Sequence, residues 1–197
     1  MRDSQIFQRL RPESDAAPAD ETGFEAPALP PLYLENRWYA ARTKSRHEKK
    51  VAEHLAGKGI TSFLPLYRAQ HRWKDRVAKV DLPLFPGYIF VQFPLKERLK
   101  VLEIPGVANL VSFAGEPAPL PDQEIETLRQ GLSADLYAEP HPYLKVGRRV
   151  RIKGGPLRGL EGILERKKED SFRVVISIDL IMRSVLVEVA MGDVELA

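Results

Sequence analysis

The sequence predicts an α+β domain joined by a linker to a small β-barrel. Three observations carry this. Residues 37–132 alternate strand-like and helix-like segments. From residue 145 to the end the vocabulary is almost entirely β, with short strands and frequent glycine, the pattern of a barrel that closes its own edges. Between them, residues 133–144 contain Pro140, His141 and Pro142 with no clear period and read as a linker. Residues 1–36 precede this body as an acidic tail. Pro12, Pro18, Pro27, Pro30 and Pro31 interrupt it, apolar periodicity is absent, and it is expected to be disordered.

Order begins at Arg37-Trp38-Tyr39-Ala40-Ala41-Arg42, aromatic and small residues that suit a buried strand. Thr43, Lys44 and Ser45 turn the chain. Ser45 with Glu48 three residues on forms a capping box for a helix running to about Lys58. Val51, Ala52 and Leu55 give its inward stripe, and Gly57 and Gly59 stop it. Ile60 to Tyr67 reads as one strand. Arg68 to Asp81 is strongly basic and reads as an exposed hairpin or loop tipped near Lys74-Asp75.

The stretch from Leu82 to Phe93 organises the domain. Pro83 and Pro86 hold the backbone extended, and Gly87 bends it. Tyr88, Phe90 and Gln92 then share one face of a strand, and Ile89, Val91 and Phe93 the other. The strand is apolar on both sides. One face fills a core. The other needs a second cover, either a helix of the same domain or another protein, and the reading favours a partner for Tyr88 and Phe90. Leu95 to Ile104 follows as a helix with Leu95, Leu99 and Leu102 on one side. Val107 to Phe113 is a strand, Gly115 to Pro121 a loop, and Asp122 to Leu132 a helix facing inward through Ile125, Leu128 and Leu132.

The totals narrow the function. The 197 residues suffice for one or two cores, and there is no cysteine, hence no disulfide or thiolate metal site. No apolar run approaches the roughly 20 residues that span a bilayer. A soluble, cytoplasmic, monomeric protein without membrane contact is expected. The formal net charge is +3, but residues 1–36 hold three arginines against seven acids, which leaves +7 on the rest. A basic body favours polyanions such as nucleic acid.

Catalytic signatures are missing. His47-Glu48 opens like a zinc-protease helix motif, but Val51 stands where the second histidine belongs. His47 and His54 lack a carboxylate partner at ligand spacing, so no metal and no cofactor is expected. No phosphate-cradling loop and no nucleophile–base pair is present. The reading is not an enzyme. Interaction features remain. Trp73 lies within the basic hairpin with Arg72 and Lys74; it either folds back on the domain or stacks on an unpaired base, a contact worth roughly 1–3 kcal/mol. Lys44, Arg46, His47 and Lys50 at a helix start either hold a backbone phosphate or are ordinary surface charge.

These residues, in this order, resemble the NusG family of transcription elongation factors. The family's N-terminal (NGN) domain pattern appears as Trp38-Tyr39, Glu48 on the first helix, and Phe85-Pro86-Gly87-Tyr88-Ile89-Phe90-Val91. The C-terminal segment resembles a KOW domain, with Val146-Gly147, Val150 and Ile152, then Gly155-Pro156-Leu157, Gly159-Leu160 and Gly162-Ile163. The resemblance runs from about Arg37 to the end. It implies a four-stranded antiparallel sheet flanked by helices, then a five-stranded SH3-like barrel. It also implies that the first domain binds the clamp helices of the RNA polymerase largest subunit and suppresses pausing or termination. Polymerase contact would fall to Arg42, Leu64, Phe85, Tyr88 and Phe90, with Glu97, Arg98 and Lys100 as a second contact. Contact with the non-template DNA strand would fall to Lys44, Arg46, His54, Arg72, Trp73 and Lys74. The barrel would recruit the ribosomal protein NusE or the termination factor Rho through Ile178, Leu180, Ile181 and Met182. The aliphatic stretch Ser177 to Met182 and the strand start Pro83-Leu84-Phe85-Pro86 are closer to the specialised RfaH-type antiterminators. That resemblance implies a C-terminal domain that can refold into helices, as in RfaH itself. Val174-Val175-Ile176 and Val185-Leu186-Val187 favour strands, so a stable barrel is expected here. The alternative to a polymerase factor is a ribosome- or RNA-binding KOW protein.

Overall fold

β1 (Asn36–Thr43) is the strand on which the first sheet is built. In the computed structural model, which describes residues 30–73, 76–134, 136–144, 147–167 and 171–197, its two edges are both filled. One edge pairs antiparallel with β5 (Tyr88–Pro94), setting Ala40 opposite Phe90 and Arg42 opposite Tyr88. The other is shared. β6 (Val107–Leu110) covers the Ala41–Thr43 end, and a two-residue strand, Pro119–Leu120, covers Trp38 and Tyr39. This short strand makes the sheet five-stranded where four strands are expected. It satisfies backbone groups that β6 is too short to reach. β2 (Thr61–Phe63) pairs with the far side of β5 and sets Phe63 opposite Phe90.

Directly opposed residues share a face, so the register sorts the side chains. Tyr39, Ala41, Ile89, Val91 and Phe93 point to one side. There they form a core with Val51 and Leu55 of α1 (Glu48–Gly57) and Val101 of α2 (Arg98–Leu102). Trp38, Ala40 and Phe90 point to the other side, toward α3 (Asp122–Ser133).

Several local expectations change. Pro65 splits the predicted Ile60–Tyr67 strand, and a new pair begins beyond it: β3 (Leu66–Trp73) with β4 (Arg76–Pro83), the expected hairpin. Its tip, Lys74-Asp75, lies outside the described residues. Leu95–Glu97 is a 3-10 turn before α2, and this shifts the helical phase. Leu95, Val101 and Ile104 are therefore buried, while Leu99 and Leu102 are exposed. The strand expected over Val107 to Phe113 divides at Val111, and Ser112–Phe113 pairs with Glu116–Pro117 within the expected loop. Pro31–Leu34, inside the expected tail, forms a helical turn whose Tyr33 packs on the first core; residues 1–29 lie outside the described residues.

The C-terminal half forms a six-stranded antiparallel sheet. β8 (Arg148–Ile152), β9 (Glu161–Lys167), β10 (Ser171–Ile178), β11 (Arg183–Ala190) and β12 (Val194–Leu196) supply five strands, β12 pairing back on β8. Residues 161–167 are a strand, not a helix. The sixth strand, β7 (Ala138–His141), comes from the segment that reads as a linker. It lies along the edge of β11, with Ala138 opposite Val187 and His141 opposite Ser184. An edge strand offers unpaired amides and carbonyls, and the linker is the nearest chain to fill them.

Candidate docking face

The second face of β5 is closed by α3 and by the C-terminal half together. Phe85 and Phe90 are buried and meet edge to face, centroids 5.6 Å apart; Phe63 stacks on Phe90 at 6.2 Å. Each such pair is worth about 0.5–1.5 kcal/mol beyond its buried area. Ile125 and Leu128 of α3 extend this cluster, and Arg129 of the same helix lies over both Trp38 (5.4 Å) and Phe63 (5.2 Å). The cluster continues without a break into the second sheet through Leu157, Ile176, Ile178, Ile181 and Val185. The aromatics expected to await a partner are thus covered in this structure, by a sheet that follows in the chain.

The contact is close at one helical glycine. Gly131 of α3 is buried, and a methyl group there would overlap Leu157 Cδ2 and stand 3.2 Å from its Cγ. Leu157, in the β8–β9 connection, is itself buried at 2% exposure. The glycine therefore serves as the socket for a leucine of the other half.

Tyr88 sits at the rim. It is half-buried, with the Arg183 guanidinium of β11 over its ring at 5.7 Å. Arg42, its register partner, is exposed. The turn that presents Tyr88 is fixed from behind. Gly87 has φ +83°, a conformation that a side chain strains. Its N–H donates to Glu48 Oε1 at 2.8 Å, and its carbonyl accepts from the Thr43 N–H at 2.8 Å. This corrects the capping box. The residue before α1 is His47, without a side-chain cap, and the buried Glu48 carboxylate serves Gly87 instead of the helix start.

The predicted site residues separate into groups. Arg42, Phe85, Tyr88 and Phe90 come together. Leu64 does not: it packs on the opposite core with Val51 and Leu55. Glu97, Arg98 and Lys100 also lie beyond that core, with Lys100 Nζ 3.0 Å from Glu97 Oε2. Lys44 and Arg46 are exposed on the β1–α1 loop, and His54 is exposed on α1. Arg72 and Trp73 are on β3, and Lys74 is outside the described residues. Ile178 lines a cavity with Phe85, and Leu180 and Ile181 belong to the same continuous apolar cluster, whereas Met182, in the left-handed region at φ +48°, is 62% exposed. Sequence reading misses Arg129, Gly131, Leu157 and Arg183. Only Gly131, a glycine inside a helical pattern, carries a signal, that of close packing. Among the described residues no helix is long and apolar enough to cross a membrane.

A sheet apolar on both faces, with a second all-β half docked on one of them, defines a two-part α+β and all-β fold. Comparison with known proteins finds likenesses to one family. Residues 36–129 match the model of the family described as "Transcription termination factor nusG". The chain is 29% identical over 175 residues to the transcription termination/antitermination protein NusG of Staphylococcus aureus strains Mu50 and N315, covering 81% of this chain and 94% of each relative. A solved structure described as "Domain interaction in Thermotoga maritima NusG" shares the fold, with a TM-score of 0.56 and 24% identity over 83% of this chain and 98% of that one. Residues 36–129 are thus similar to the NusG family over that span.

Proposed function

We propose that the protein is a transcription elongation and antitermination factor, not an enzyme, that binds RNA polymerase through the face bearing Arg42, Tyr88, Phe85 and Phe90. The supporting observation is the composition of that face. It is built on the strand that follows Phe85-Pro86-Gly87, within the residues that match the family model, and part of its cover is a separate sheet joined through a short linker. Release of that sheet uncovers an aromatic surface of the sort protein partners use. A polymerase that binds only the uncovered state draws the equilibrium toward it. The clamp helices of the largest subunit are the expected seat. The exposed Lys44, Arg46 and His54 then lie toward the non-template strand, and the released KOW-type half offers Ile178, Leu180, Ile181 and Met182 to NusE or Rho. The specialised, RfaH-like role belongs to this proposal as well.

The test is polymerase capture by the full-length protein. Phe90 is buried, so its truncation tests folding rather than docking. Tyr88→Ala and Arg42→Glu alter the rim and are expected to weaken polymerase capture at unchanged melting temperature. Unchanged capture with both substitutions refutes the proposal. If RNA binding is lost instead, the chain is a ribosome- or RNA-binding KOW protein.

A further inference from the structure

The segment that reads as a linker is fastened to the C-terminal sheet twice. The first fastening is β7, paired along β11 from Ala138 opposite Val187 to His141 opposite Ser184. Pro140 and Pro142 bring no N–H that the sheet would have to satisfy. The second fastening lies three residues further on and uses side chains. Ser177 of β10 and Ser184 of β11 stand opposite each other in register, their hydroxyl oxygens 2.7 Å apart. The Leu144 N–H donates to Ser184 Oγ at 3.2 Å, and Ser177 Oγ donates to the Leu144 carbonyl at 2.7 Å. A hydroxyl has one proton to give. That of Ser177 goes to Leu144, so the bond between the two serines is donated by Ser184. The groups therefore close a ring, from Leu144 N–H to Ser184, from Ser184 to Ser177, and from Ser177 back to the Leu144 carbonyl. In such a ring each bond polarises the next. Ser184 is 1% exposed, so water does not compete at the ring's inner member. Beside the ring, the Tyr143 hydroxyl donates to Asp179 Oδ1 at 2.9 Å.

We propose that residues 138–144 are a strap belonging to the C-terminal half, and that the Leu144–Ser184–Ser177 ring is the clasp that limits how far this half travels from the docking face. The inference rests on the reading above that the half leaves the face when a partner arrives. With the strap in place, only residues 134–137 lie between α3 and β7. Such a connection spans at most about 14 Å. With the strap undone, the connection runs from 134 to 147, where β8 follows, and spans at most about 50 Å. A clasped half stays beside the face and recloses; an unclasped half ranges away from it. The difference in reclosure is about five- to tenfold, because effective concentration falls roughly as the 3/2 power of tether length.

The chain has no cysteine, so labels go where they are placed. Lys50→Cys and Glu165→Cys, both exposed and one in each half, carry spin labels whose separation reports the closed population and the reach of the open one. In the full-length protein the Leu144 amide is protected from hydrogen exchange. It stays protected in Leu157→Ala, which empties the Gly131 socket and parts the halves. Ser177→Ala removes that protection, lowers the closed-to-open ratio toward the five- to tenfold limit of a freed strap, and lengthens the longest label separations. Ser184→Ala does the same, and both substitutions together do no more than either alone, since one missing hydroxyl already opens the ring; merely steric effects would add. Tyr143→Phe keeps the ring and moves both readouts less. Melting curves accompany each variant; should Ser184→Ala unfold the sheet at its buried position, Ser177→Ala, at a half-buried one, carries the test. A Leu144 amide that exchanges at the unpaired rate in wild type, or Ser177→Ala matching wild type in both exchange and separation, overturns the proposal. If Leu157→Ala and added polymerase both leave the separation as in wild type, the release reading fails, while the exchange results still judge the clasp.

Discussion

Gly131→Ala separates the two halves without touching the residues offered to a partner. In a free helix this substitution favours α3 by about 1 kcal/mol, because alanine loses less backbone freedom than glycine. In the closed molecule the new methyl overlaps Leu157 Cδ2 and lies 3.2 Å from its Cγ. Leu157 must turn away or the sheet must shift. Overpacking of this sort costs about 1–3 kcal/mol. Closure is thereby weakened about 5- to 150-fold, while the fold of each half is kept. The assay is the label separation between the two halves, with the melting curve as control. Apparent polymerase affinity rises with the open fraction, since binding draws only on that fraction. Leu157→Ala empties the socket from the other side and opens the molecule in the same direction. Unchanged separation and unchanged affinity in both variants refute the reasoning, since the helix and the leucine then do not hold the halves together.

Two further outcomes follow from the first half alone. Glu48→Ala leaves the Gly87 N–H without its acceptor in a part-buried site and lowers stability by about 1–3 kcal/mol in urea titrations, with polymerase capture falling as the turn loosens; Glu48→Gln, which keeps an acceptor oxygen, recovers most of both. Tyr39 presents a buried hydroxyl without a partner, and burial pushes its ionisation above the usual phenol range, so Tyr39→Phe is neutral or stabilising by about 1 kcal/mol in the same titration.

Much of the first domain was legible because its strands declare two faces. The alternation from Tyr88 to Phe93 named the members of each face correctly, and the surplus apolar face announced that a second cover was needed. What covers it was not legible. Ile176 and Val185 read only as strand residues and Ile178 as part of the barrel's partner surface, and nothing in their local pattern says that they also line a cavity with Phe85. The same limit explains Glu48. Ser45-x-x-Glu48 is a sound capping pattern, but the carboxylate is satisfied 39 positions away, by Gly87. Leu95, Leu99 and Leu102 matched a helical stripe, yet a 3-10 turn changes the phase, and the stripe actually buried is Leu95, Val101 and Ile104. Ala138–His141 shows no alternation at all; it becomes a strand because β11 has an edge to fill. Of the expected polymerase-contact group, Arg42, Tyr88 and Phe90 share one face by register and Phe85 joins them through its edge contact with Phe90, whereas Leu64 packs with the opposite core beyond the end of β2 at Phe63.

The handover of one face between two covers is open to direct observation with a photo-crosslinking phenylalanine analogue in place of Tyr88. In the protein alone, illumination should join position 88 to the segment around Arg183; after polymerase is added, that internal product should fade as a product with the largest polymerase subunit appears. An internal crosslink that persists at full strength while polymerase is bound would contradict the account, because the face would then never have been vacated.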